Sequence, residues 1–115
     1  MRHHKKLKKF GRERNQRKAL IKSLVFNLVK NEKIKTTETK AKTLRTFVEK
    51  YITKAKSGEL DQRKLLIARV GDASAKKITE TIAPRYKDRN GGYTRVVKLP
   101  RRKSDGSKMA IVEFV

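Results

Sequence analysis

Ser104, Asp105 and Ser107 share the polar stretch KSDGSK, and His3 and His4 stand side by side near the start; these are the residue types from which a hydrolytic nucleophile is assembled. A serine attacks only when a base takes its proton, and no histidine follows position 4. Side chains of adjacent histidines diverge, so no metal site is expected at His3 and His4. The carboxylates Glu49, Asp61, Glu80 and Asp88 are scattered without a convincing acid–base pair, and they read as charges that cap helices or balance lysines. Absence of cysteine excludes disulfides, thiolate zinc sites and a thiol nucleophile, and it agrees with a cytosolic compartment. Neither GxxxxGK[ST] nor GxGxxG occurs. An enzyme is not expected, nor a cofactor, a metal or a small-molecule substrate.

The chemistry the sequence does supply is cationic. In 115 residues Lys and Arg total 33 against 11 Asp and Glu, a formal charge of +22. Such an excess repels itself in the compact state and is relieved by a polyanion, whose released counterions drive binding. The stretch RNGGYTR at 89–95 sets Gly91 and Gly92 beside Asn90, between Arg89 and Arg95, with Arg85 just upstream. Glycines permit close backbone approach, guanidinium groups suit phosphate oxygens, and Tyr86 and Tyr93 could stack on unpaired bases. The plainer alternatives are a turn feeding a strand and a Tyr86 that belongs to the core.

The cations must be positioned by a fold. At 115 residues there is room for one domain. Residues 1–16, with His4, Lys6, Lys8 and Arg14 among their basic groups, hold only Leu7 and Phe10 as sizeable apolar side chains and read as a basic arm that orders on its partner. From Arg17 the pattern changes, and residues 17–115 read as a single globular domain. Leu20, Ile21, Leu24, Val25 and Leu28 recur at helical spacing, flanked by Phe26 and Val29, which predicts the central helix of the domain, ending near Asn31. A brief strand is expected over 33–37. A second helix follows, with Thr36 or Thr37 as its cap, Glu38 in its first turn and Gly58 as its stop. Ala41, Leu44, Phe47, Val48, Tyr51, Ile52 and Ala55 form its apolar stripe.

Two shorter helices are expected over 61–68 and 73–82, the second capped by Asp72 and stopped by Pro84. YTRVVKL and MAIVEFV then read as an antiparallel strand pair, joined by PRRKSDGSK, whose Arg101, Arg102 and Lys103 make a basic loop. The fold class expected is α+β, several helices on a small mixed three-stranded sheet, with the basic arm in front. The apolar run at 19–29 is broken by Lys22 and too short to span a bilayer or to act as a secretion signal, so no membrane partner is expected.

Several separated pieces together resemble one family. MRH at the start, Arg12, RKAL at 17–20, IKTTETKAKTLR at 34–45, VEKYITKAK at 48–56 and GGYTR at 91–95 are similar, in order and spacing, to the bacterial large-subunit ribosomal protein seventeen family. The specific part is IKTTETKAK with VEKYITKAK on the same helix. Two positions depart from the family's pattern, Tyr51 for an aliphatic residue and Gln16 for a histidine.

The resemblance implies a structural ribosomal protein in the cytoplasm that binds 23S ribosomal RNA and supports its folding near the nascent-chain exit region. It also implies neighbouring ribosomal proteins, including number thirty-two. Carried onto matching positions, it implies RNA contacts from Arg2, His3, Lys5, Lys9, Arg12, Arg17 and Lys18. A second set is Lys35, Thr36, Thr37, Lys40 and Lys42, where free amides at a helix start would receive an anion. A third is Gly91, Gly92, Tyr93, Thr94 and Arg95. The rival readings are a nucleic-acid-compacting protein outside the ribosome, for which no helix-turn-helix or zinc-finger signature is evident, and an RNA-modifying enzyme, for which no cofactor loop is visible.

Overall fold

The structure, a computed structural model, describes residue 11 and residues 13–115. Arg2, His3, His4, Lys5, Lys6, Lys8, Lys9 and Arg12 of the expected RNA contacts therefore lie outside the described residues. Helix α1 spans Arg14–Asn31, strand β1 Lys33–Thr37, α2 Glu38–Ser57, α3 Leu60–Val70 and α4 Asp72–Lys77. A π turn over Ile78–Ile82 and a 3-10 turn over Ala83–Tyr86 lead to strands β2, Thr94–Leu99, and β3, Met109–Phe114. No helix of the described residues is long and apolar enough to cross a membrane.

The α+β class is as expected, and the three-stranded sheet is antiparallel throughout rather than mixed. Its order is β1-β3-β2, so the last strand sits in the centre. The loop after β2 returns the chain beside itself, which forces an antiparallel pair with Thr94 opposite Phe114. β1 takes the other edge of β3 in the opposite sense, with Ile34 opposite Val112. Side chains alternate across the sheet, so Val96, Val112 and Ile34 share the face packed on the helices.

The helix at the centre is α2, not α1 as its apolar girth predicts. α2 packs against α1, α3, all three strands and both turns. Its Ala41, Leu44, Val48, Tyr51 and Ile52 are buried, each large one worth about 1.5–3 kcal/mol of transfer free energy. α1 buries only Val25, Leu28 and Val29 and leaves Phe26 44% exposed. The physical reason is that, among the described residues, no element covers one flank of α1. α1 starts at Arg14, ahead of the change of pattern at Arg17, because the amide of Arg17 already bonds the Glu13 carbonyl at 2.8 Å.

Helix ends follow local chemistry. Gly58 closes α2 at φ 70°, a left-handed conformation that glycine adopts without steric cost. Glu32 closes α1 in the same region at φ 63°, where a side chain costs about 1–2 kcal/mol. Its carboxylate meets Arg85, which offsets part of that cost. Pro84 does not stop the chain's coiling as expected. It lies in the first turn of the 3-10 segment, where its missing amide has no helical partner to lose. The π turn before it inserts one residue, so that Ile78 and Ile82 both reach the core, and Tyr86 follows them inward.

Candidate nucleic-acid interface

The stretch between the 3-10 turn and β2 is held from behind by α2. Glu49 projects from α2 and accepts the backbone amides of Tyr93 at 3.2 Å and Thr94 at 3.3 Å, and the Thr94 hydroxyl at 3.1 Å. Two helical turns on, Lys56 donates to the Arg89 carbonyl and, at 3.2 Å, to the Tyr93 hydroxyl. That hydroxyl donates to the same Arg89 carbonyl at 3.2 Å, and Lys56 lies 5.1 Å from the Tyr93 ring centre. The carboxylate thus fixes the end of the turn and the ammonium fixes its start.

Between these anchors Asn90 and Gly92 are exposed and Gly91 is half-buried. Gly92 has φ +63°, and Arg89 folds over the turn to bond the Gly91 carbonyl at 3.2 Å. A Cβ added at Gly91 would meet nothing within 4 Å, so the protein's own packing does not require glycine there. The tyrosines are not stacking surfaces. Tyr86 and Tyr93 are 4% and 1% exposed, and their rings lie 5.2 Å apart in the core. Tyr86 donates its hydroxyl to the carbonyl of Val115 at 2.8 Å, and burial pushes its pKa up. Thr94 is buried too, so the side chains of Tyr93 and Thr94 shape the loop rather than face solvent.

Lys42, Arg45, Thr46, Glu49 and Gly92 line a cleft of about 350 Å³ between α2 and the glycine turn. The fold therefore brings Lys42 of the second expected set to Gly92 of the third. At the start of α2, where an anion site is expected, one amide and the positive end of the helix are already engaged. Thr37 stands at the cap position without a side-chain bond, and the amide of Glu38 is taken by the Lys108 carbonyl at 2.9 Å. The Glu38 carboxylate already meets the positive end of the helix and pairs with Lys42 at 3.0 Å and Lys98 at 3.8 Å. The hydrogen bond from Lys42 holds its pKa below the usual carboxylate range. What remains open there are side chains: Lys35 is exposed on β1, while Thr36, Thr37 and Lys40 are half-buried.

The other predicted cations sit on the surface. Arg14 and Lys18 are exposed on α1 and Arg17 is half-buried. Arg85 pairs with Glu32, and Arg95 pairs with Glu113 across the sheet at 3.0 Å. Exposed pairs of this kind are worth about 0–1 kcal/mol, so a phosphate can exchange for the carboxylate at little cost. In the hairpin loop Arg101 bonds the Gly106 carbonyl at 3.1 Å, Arg102 pairs with Asp105 at 3.2 Å, and Lys103 is exposed. Asp105 accepts the amide of Ser107 at 3.1 Å, which lowers its pKa, so the Ser–Asp cluster is a folded turn. Among the described residues no group of His, Cys, Asp and Glu could hold a metal ion.

Sequence reasoning misses Arg45, Glu49 and Lys56 as parts of this site. Their spacing on α2 places them on its polar side, but the partners of Glu49 and Lys56 in the turn are 33–45 residues away in the chain. The one available signal is that Glu49 is the only acidic residue of α2 beyond its first turn, in a helix otherwise rich in lysine.

A family model described as Ribosomal protein L17 matches residues 20–115. The chain is 49% identical over 117 residues to the large ribosomal subunit protein bL17 of Hydrogenobaculum sp., a match covering 100% of this chain and 99% of that one. It is 46% identical to the protein of the same name from Caldanaerobacter subterraneus, over 94% of this chain and 97% of the relative. With that of Wolinella succinogenes it shares 44% identity over the full length of both.

Proposed function

The chain belongs to the ribosomal protein L17 family, and from that premise we propose that this large-subunit ribosomal protein binds 23S ribosomal RNA and supports its folding and assembly. It is a structural component of the cytoplasmic ribosome and not an enzyme. The observation that carries the RNA reading is the turn at Asn90–Gly92, held open to solvent by Glu49 and Lys56, with Lys42 and Arg45 across the cleft. A backbone fixed in advance loses little entropy on binding, and its amides and flanking cations meet phosphate oxygens.

In this reading residues 1–16 form an RNA-binding arm ahead of a domain over 17–115, and the first turn of α1 joins the two. Arm cations, Lys35 and Lys40, the glycine turn and the hairpin loop act as separate phosphate contacts, and the charge of +22 adds counterion release to each. The reading includes a position near the nascent-chain exit region and ribosomal protein thirty-two as a neighbour; the family resemblance supports both.

The test is filter binding of the full chain to a 23S transcript at fixed salt, with duplex DNA as competitor. Binding that survives an excess of duplex DNA is expected. Equal competition by DNA would favour a general nucleic-acid-compacting protein instead.

A further inference from the structure

A groove of about 490 Å³ opens between α1, α2 and α3 and shares no lining residue with the cleft at Gly92. Its less exposed lining is Ile21, Phe47 and the buried Tyr51, with Arg17 and Thr43 also half-buried beside them, and the two rings lie 6.3 Å apart, tilted by 38°. Its exposed lining includes Arg14, Lys18, Lys22 and Arg69, and none of its lining residues is acidic. Burial raises the pKa of the Tyr51 phenol and the charge of Arg69 opposes it, in keeping with a guanidinium near that ring.

An occupant of this groove has to be apolar and flat at its inner end and anionic at its outer end. We propose that the groove takes a single unstacked nucleotide of RNA, its base against the half-buried ring of Phe47, which the buried Tyr51 backs from the core, and its phosphates among Arg14, Lys18, Lys22 and Arg69. This rests on the RNA-binding reading above and adds a base-stacking site to a protein whose other contacts are to phosphates. The volume lies in the range of about 300–1,000 Å³ that suits small, compact groups. Arg14, Lys18 and Lys22 follow one another at four-residue spacing along α1, so they line one side of the groove as a row of charge. An acidic amphipathic helix from a protein partner satisfies the charge but needs a longer row of apolar anchors than Phe47, Tyr51 and Ile21 provide.

The test uses the full chain, an oligoadenylate and an abasic oligomer of equal length. Phe47→Leu, which keeps an apolar side chain of similar bulk, should weaken oligoadenylate binding about five- to tenfold and change abasic binding less than about twofold, as loss of one stacked base does. Arg69→Gln, at an exposed position, should weaken both. Cross-linking of the unmodified chain to an iodouridine-substituted RNA, mapped by mass spectrometry, keeps the test independent of how the variants fold. Adducts on Phe47 support the site, and adducts confined to residues outside the groove overturn it. Equal losses on both oligomers from Phe47→Leu, or an acidic peptide that binds the groove where RNA does not, also overturn it. If Phe47→Leu binds the 23S transcript and oligoadenylate as the unmodified chain does, the groove is refuted while the RNA reading stands; if the unmodified chain fails to bind the transcript, the RNA reading itself fails.

Discussion

Replacing Glu49 with alanine should loosen the glycine turn and destabilise the domain together. The carboxylate takes the amides of Tyr93 and Thr94 and the Thr94 hydroxyl, and both residues are buried. A hydrogen bond to a charged group is worth about 1.5–3 kcal/mol, and a buried donor left without an acceptor costs about 1–3 kcal/mol. These overlap rather than add, and water entering the truncated site recovers part of the loss, so about 2–4 kcal/mol is expected. Glu49→Gln keeps one acceptor oxygen and should cost about half as much. Arg45→Gln removes only an exposed contact to Glu49 at 3.7 Å and should change stability by less than about 1 kcal/mol. Urea unfolding followed by circular dichroism, in enough salt to screen the +22 charge, ranks the three variants. The alanine variant should also bind the 23S transcript less tightly in conditions where it is fully folded. Alanine and glutamine variants as stable as the unmodified chain would refute the account of how the turn is held.

Three further outcomes follow from the same geometry. Gly91→Ala should leave the unfolding midpoint almost unchanged, since its Cβ meets nothing, yet weaken RNA binding; Gly92→Ala should cost about 1–2 kcal/mol because of its positive φ. Both are read by melting and filter binding side by side, and intact RNA binding by Gly91→Ala would show that no backbone approach occurs there. Deleting residues 1–12 should leave the cooperative unfolding transition in place and lower affinity for the 23S transcript with a shallower salt dependence, and an unchanged salt slope would remove the arm from the interface. Glu32 is held below its ordinary value of 4.5 chiefly by its bond to Arg85. Its contribution is therefore fully present above about pH 4.5 and is lost as pH falls through the lower folded value. Arg85→Gln should flatten that acid limb in a pH series of urea melts, and an unaltered limb would exclude the pair as its source.

The elements with strong periodicity were legible in the sequence. The α2 stripe, its Gly58 stop and the strand pair at the end all follow from local spacing, because the burial of each is decided within a few turns or pleats. Features that depend on distant partners were not. α1 reads as the most apolar helix, but only the position of α2 between helices and sheet makes α2 central. Tyr86 reads equally as a stacking platform or as core and Tyr93 reads as an RNA contact, and the sheet and α2 closing around them decide for core in both. Pro84 reads as a stop because its local cost in an α-helix is plain, whereas the tighter 3-10 turn that accommodates it is set by Tyr86 reaching inward. At the interface the cations were legible from composition, while the groups that hold the turn, Glu49 and Lys56, were not.

The most direct test of the central claim is where this protein sediments when a lysate is resolved on a sucrose gradient after a high-salt wash. An integrated component of the large subunit, anchored by several separate RNA contacts, is predicted to stay with that subunit. Release to the top of the gradient, or sedimentation with chromosomal DNA, would contradict it.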